Sequence, residues 1–236
     1  MGDIIRKGQK FTYTPDKVQA AYRIVYLTVP QVRTEDPLPE RMIFYVDTRF
    51  TPAQVTRLRQ MIGTILGFWR DHLEQVNDGG ISKFERCVNK YARFNLAPVW
   101  FPDRIANGRA AAAIQMDGLT TMIQANGFGR AAKAYIKYEE LSAGESFTII
   151  GLNASNPEKN SLTVTVNPIS LIPYAGPSTL MLAGSLFHAW LHREGYRHPA
   201  GKFLSYFAGE ASMCIMRGNL EKNPATPEST FSRWLD

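Results

Sequence analysis

The sequence predicts an α/β domain of the α+β kind. It has a mixed, twisted sheet, a long first helix, a later helix carrying the functional site and a small C-terminal subdomain below a cleft. Three observations predict this. Arg41 to Asp47 (RMIFYVD), Ser146 to Leu152 (SFTIIGL) and Ser161 to Val166 (SLTVTV) are short β-branched and aromatic runs, the composition of strands. Val55, Leu58, Met61, Ile62, Ile65, Leu66 and Trp69 recur at helical spacing. Leu180, Leu182, Leu186, Phe187 and Trp190 supply the apolar faces of a second helix, one that buries itself in the domain. At 236 residues the chain suits a single domain, with an upper part to about residue 195 and a lower part from about 196.

Taken in order, residues 1 to 40 are polar and punctuated by proline, with a strand expected over Ala20 to Val29 and a loop at Pro37 to Glu40. The Arg41 to Asp47 strand follows. Thr51-Pro52-Ala53-Gln54 then combines an N-cap, a first-turn proline and a capping-box glutamine, so the long helix starts there. It runs to about Val76, and Asp78-Gly79-Gly80 stops it. His72 lies on this helix and reads as an exposed or capping residue, not a ligand. From Ser82 to Trp100 the pattern is ambiguous, with a strand expected near Tyr91 to Val99. Ala110 to Asp117 reads as a strand against the helical preference of its alanines, Gly118 and Gly127 to Gly129 as turns, and Arg130 to Leu141 as a short helix. The two strands at Ser146 to Leu152 and Ser161 to Val166 are joined by an Asn-, Ser- and Pro-rich turn. Pro173 to Pro177 is a loop, after which Ser178 caps the helix from Thr179 to about Glu194. The last residues hold an irregular stretch (Phe203, Leu204, Tyr206, Phe207), a polar loop at Asn223 to Pro227 and a terminal helix reaching Trp234.

Composition bounds the function. The 44% apolar content is that of a globular protein, and no apolar run approaches the length of a membrane span. The net charge of +6 and pI near 9.3 come from Lys and Arg residues scattered along the chain, so a solvated basic surface is expected, with no nucleic-acid or membrane partner. Two cysteines, Cys87 and Cys214, make no disulfide framework; they either pair or remain buried thiols. The N-terminus, Met-Gly-Asp-Ile-Ile-Arg-Lys, lacks the apolar segment of a secretory signal. The expectation is therefore a cytosolic chain, a trimmed mature form, or one exported without a cleaved signal.

The chemistry concentrates in His188-Ala-Trp-Leu-His192-Arg-Glu-Gly195-Tyr-Arg-His198, which holds three of the four histidines. A four-residue step advances about 400° around a helix, so His188 and His192 project from one face a turn apart. Gly195 can take the positive φ that ends the helix, and His198 then returns from outside it. Three neutral imidazoles suit Zn²⁺ with a fourth position left open, which is the arrangement of a catalytic zinc.

This spacing resembles the metzincin zinc proteases, whose motif H-E-x-x-H-x-x-G-x-x-H is followed by a Met-turn. Downstream, Ala211-Ser-Met213-Cys-Ile-Met216-Arg-Gly218 looks like that turn, with Met216 as its methionine and Met213 the second choice. Pro199, directly after the third histidine, is similar to the serralysin branch, although the calcium repeats and the following tyrosine of that branch are absent. A strand leading into a long helix with a late tryptophan resembles how metzincin catalytic domains begin. The resemblance implies a zinc-dependent endopeptidase acting on protein or peptide, with Met216 in an apolar floor under the metal and an edge strand pairing with extended substrate.

One departure changes the reading. The family's glutamate beside the first histidine is Ala189 here. In the family that side chain passes a proton from the attacking water to the leaving amine. Glu194 is no replacement, because on a continued helix it points roughly 140° away from the midpoint of the two histidines. The expected protein is therefore a metzincin-type endopeptidase in inactive form, its intact ligand set favouring an engineered removal of the base. The alternative is a natural pseudoprotease that binds a protein or peptide in the cleft. A zinc hydrolase acting on another bond is a third reading.

Overall fold

The computed structural model describes residues 21–140, 149–151, 156–172, 176–198 and 204–235. The outer residues of the strand expected over 146–152, part of the loop at 173–177, Pro199 and Phe203 lie outside these. Strand β1 (Tyr22–Thr28) alternates buried Val25 and Leu27 with exposed Ile24 and Tyr26, and pairs antiparallel with β2 (Arg41–Asp47). The order across the sheet is β1-β2-β3-β5-β4, with β3 at Ala134–Tyr138, β4 at Ile149–Gly151 and β5 at Val164–Val166. Strands β2, β3 and β5 run parallel, and β4 closes the far edge antiparallel to β5.

Helix α1 (Pro52–Asn77) begins at the expected capping box: Thr51 accepts from the Gln54 backbone and Gln54 returns a bond to the Thr51 N–H. Its buried side chains are those read as periodic, plus His72. Helix α4 (Thr179–Glu194) has the expected bounds and cap, with Ser178 Oγ accepting from Met181 N at 3.2 Å. It packs beneath the sheet, where the Trp190 ring stacks on Phe44 of β2 at 6.4 Å. The helices therefore cover one face of the sheet.

Four elements differ from expectation. Ala110 to Asp117 is not a strand but part of helix α3 (Gly108–Gly127), capped by Asn107, whose side chain accepts from Ala110 N. Ala111, Ala112, Met116, Leu119, Met122 and Ile123 are buried at helical spacing, and the alanines follow their intrinsic preference. Gly118 sits inside this helix instead of in a turn, and glycine is needed there because a Cβ would lie 2.2 Å from the Glu194 carboxyl carbon. Second, Ser82-x-x-Glu85 is another capping box and opens helix α2 (Lys83–Tyr91); no strand follows it, only an isolated bridge from Phe94 to Tyr206. Third, the short helix expected over Arg130 to Leu141 is β3, in which buried Ala134 and Ile136 alternate with Tyr135 and Lys137.

Fourth, Phe207, expected in an irregular stretch, and Ala211 to Met216, expected in a turn, form helix α5 (Phe207–Met216), which lies against α4 and contributes Phe207, Ala208, Ala211, Cys214 and Ile215 to the main core. A small satellite core joins Met213, Met216 and Leu235, with Phe231 of the short α6 (Ser229–Ser232) packed on it. Cys87 on α2 and Cys214 on α5 are joined in a disulfide, so the buried-thiol alternative does not apply. Among the described residues, no helix is long and apolar enough to cross a membrane.

His72 is buried at 3% exposure, not exposed, and its Nδ1 lies 2.8 Å from Ser82 Oγ, the cap of α2. Burial lowers its pKa, opposed by the nearby Glu85 charge. Stability from this residue is thus complete above the unfolded histidine pKa of about 6.5 and is lost as pH falls below it, where the unfolded chain takes up a proton that the native state resists. Denaturant titrations of the protein at pH 7.5 and 5.5 should show a smaller pH-dependent loss for His72→Gln than for the parent; equal losses would assign that slope to other groups.

Candidate metal centre

The centre is built from the end of α4, the turn after it and one side chain of α5. Gly195 ends α4 with φ of +118°, its N–H bonded to the Leu191 and His192 carbonyls, and Tyr196 N also bonds Leu191 O. A Cβ at Gly195 would also meet Trp100 Cδ1 at 3.0 Å. The turn swings His198 back over the helix. The three imidazole centroids then form a near-equilateral triangle, with separations of 4.9, 5.0 and 5.0 Å. His188 Nε2 and His198 Nε2 are 3.0 Å apart, and one ring nitrogen from each histidine lies within 4.8 Å of the others. His188 and His192 are buried and His198 half-buried. Such a group could hold a metal ion.

The hydrogen-bond partners orient two of these rings. His192 Nδ1 lies 2.9 Å from the Tyr196 carbonyl, an acceptor only, so Nδ1 carries the proton and Nε2 is left as a donor to metal. His188 Nδ1 lies 3.3 Å from Ser212 Oγ, whose hydroxyl donates to the Ala208 carbonyl at 3.0 Å. Ser212 is thereby turned to accept from His188 Nδ1–H, and Nε2 of His188 again faces the centre. Neutral imidazoles with Nδ1 so fixed suit Zn²⁺, and this chemistry of the donors is what the fit rests on.

No family model, curated protein or solved structure matches this chain.

Ala189 follows His188 on α4 and is fully buried within the main core. Glu194 is at the helix end, but its side chain lies against Gly118 of α3. Burial, with the charge of Asp117 adding to it, pushes its carboxyl well above the ordinary carboxylate range. Tyr196, buried near it and beside Gln115, has its hydroxyl likewise pushed up by burial. Met216, expected beneath the metal, ends helix α5 and packs against Gly184, where a Cβ would meet Met216 Cγ at 2.3 Å and the Ser212 carbonyl at 2.6 Å. That close approach of α4 and α5 sets Ser212 opposite His188, one turn further along.

Sequence reasoning missed Ser212. Its only signal was the run of small residues on both helices, Ala183-Gly184-Ser185 and Ala208-Gly209 with Ala211-Ser212, which lets the two backbones approach. It also missed the segment from Arg93 to Phe101. This segment holds the chain before and after His198: Arg93 N and Phe94 N donate to Ser205 O, Val99 N to Gly195 O, and Trp100 Nε1 to Glu194 O at 2.6 Å.

Proposed function

We propose that this chain is a zinc protein on the metzincin endopeptidase plan, held inactive because Ala189 occupies the position of the proton-transferring glutamate. The observation that carries this reading is the convergence of His188, His192 and His198, with Nδ1 of two rings fixed so that Nε2 faces a common centre. Zinc in such a site polarises a substrate carbonyl and activates water. The chain's own residues hold the metal, orient it through Tyr196 O and Ser212, and offer at β4 an antiparallel sheet edge for an extended peptide. Among the described residues, the group that could hold a metal consists of these three histidines and includes no carboxylate.

The full burial of Ala189 favours a second reading, a natural pseudoprotease in which an alanine fitted to the core leaves a cleft that binds peptide without cleaving it. The Cys87–Cys214 disulfide supports an oxidising compartment for either protein.

Metal binding tests the shared basis of both readings. After metal removal and zinc back-loading, elemental analysis should give one zinc per chain, and His192→Ala should abolish it. Ser212→Ala removes only the partner of His188 Nδ1, so zinc affinity should fall about 10- to 100-fold by competition with a chromogenic chelator. A zinc content near zero in the folded parent would remove the site.

A further inference from the structure

The helices cover one face of the sheet and, among the described residues, leave the other open; that open face has a chemistry of its own. Outward positions of β1 are Tyr22, Ile24 and Tyr26, and Ile24 and Tyr26 retain 51% and 46% of their surface in solvent. Register sets Ile24 beside Tyr45 and Tyr26 beside Ile43 on β2, and Tyr45 beside Tyr135 on β3. The rings are contiguous: Tyr135 lies 4.8 Å from Tyr22 and 5.4 Å from Tyr45, centroid to centroid. An aromatic strip thus crosses three strands where a sheet face open to water ordinarily carries polar residues.

Cations border the strip. The Arg41 guanidinium lies over the Tyr26 ring and the Lys133 ammonium over the Tyr45 ring, each at 4.8 Å, and exposed Lys137 extends the series along β3. Among the described outward strand positions the only carboxylate is Asp47, which is buried and paired with Arg49 at 2.7 Å; Glu139 and Glu140 come after β3 has ended. The strip is therefore flanked by positive charge without a matching negative series. Two copies packed face to face would set these cations against one another, which disfavours self-association through this surface.

We infer that this open face binds single-stranded nucleic acid, with bases stacked on the tyrosines and phosphates held by Arg41, Lys133 and Lys137. Every base offers a π-face to an aromatic platform, and its backbone supplies one phosphate per nucleotide to the flanking cations; this pairing of stacking with a positive track is the general means of binding single strands. The sequence did not lead to this surface because its charges are separated by some ninety positions and only the sheet brings them together. It lies across the sheet from α4 and does not depend on the zinc reading.

The test uses the full chain and a fluorescein-labelled twelve-nucleotide oligothymidylate, followed by anisotropy over a range of salt concentrations. Saturable binding that weakens with salt is expected. Tyr45→Ala and Tyr135→Ala should each weaken it about 5- to 100-fold, while Tyr45→Trp retains it. Lys133→Gln and Lys137→Gln, both at exposed positions that do not threaten folding, should each lower the log–log salt slope by about 0.7. Circular dichroism reports folding, and if a tyrosine variant does not fold the lysine variants decide. Absence of binding, binding indifferent to Tyr45→Ala, Tyr135→Ala, Lys133→Gln and Lys137→Gln alike, or a concentration-dependent dimer lost on Tyr45→Ala overturns the proposal. Capture of acidic protein in preference to the oligonucleotide overturns it as well.

Discussion

Ala189→Glu is expected to turn this chain into a protease, raising hydrolysis of a denatured protein by at least about 10²-fold over the parent at equal zinc content. The position is one residue past His188 and three before His192, so a side chain there leaves the helix about 100° from the first ligand and 60° from the second. A carboxylate at that point can take a proton from water at the centre and deliver it to a leaving amine, a contribution of roughly 10²–10⁴. The burial of Ala189 defines both a cost and a control. Enlarging a fully buried side chain destabilises by about 1–3 kcal/mol, so the variant should unfold earlier while being more active. Ala189→Gln carries the same bulk without the basicity and should unfold earlier with no gain. Chelation should abolish the new activity and zinc restore it. No gain from Ala189→Glu at full zinc occupancy and intact fold would leave the pseudoprotease reading, in which the cleft binds and does not cut.

The second large effect lies in the Cys87–Cys214 bond, which spans 127 positions. In the chain-entropy account, closing a loop of that length removes unfolded-state freedom equivalent to about 5 kcal/mol, and measured losses on removing native disulfides run at roughly 2–5 kcal/mol. The bond also acts locally. Cys87 is on α2, which leads into the segment holding the chain before and after His198, and Cys214 is two residues from Ser212. Replacing both cysteines by Ala should lower the unfolding midpoint by on the order of 10 °C for a chain of this size. Thiol titration of the denatured, unreduced protein should find no free thiol. Two free thiols, or a double variant as stable as the parent, would contradict the bond or its role.

Local signals determined much of this chain. Thr51 and Ser178 cap helices that begin where their side chains dictate, and the periodic burial of α1 and the bounds of α4 follow from residues within a few positions of one another. The spacing of His188, His192, Gly195 and His198 carries its own geometry, because a helical turn and a positive-φ glycine act on neighbours. Where short-range signals conflicted, as in the alanines and Gly118 of α3 or the alternation in β3, the competing conformations were close in energy and tertiary packing chose between them: Glu194 filled the space left by Gly118, and the sheet took up Ala134 and Ile136. What only the tertiary structure decided joins residues far apart in sequence. The pairing of Cys87 with Cys214, the placing of Ser212 behind His188, and the gathering of Tyr26, Tyr45 and Tyr135 beside Arg41 and Lys133 are of this kind. Such contacts depend on how the helices and strands pack, and no local pattern encodes them, since each partner's side chain is compatible with many neighbours until the core has formed.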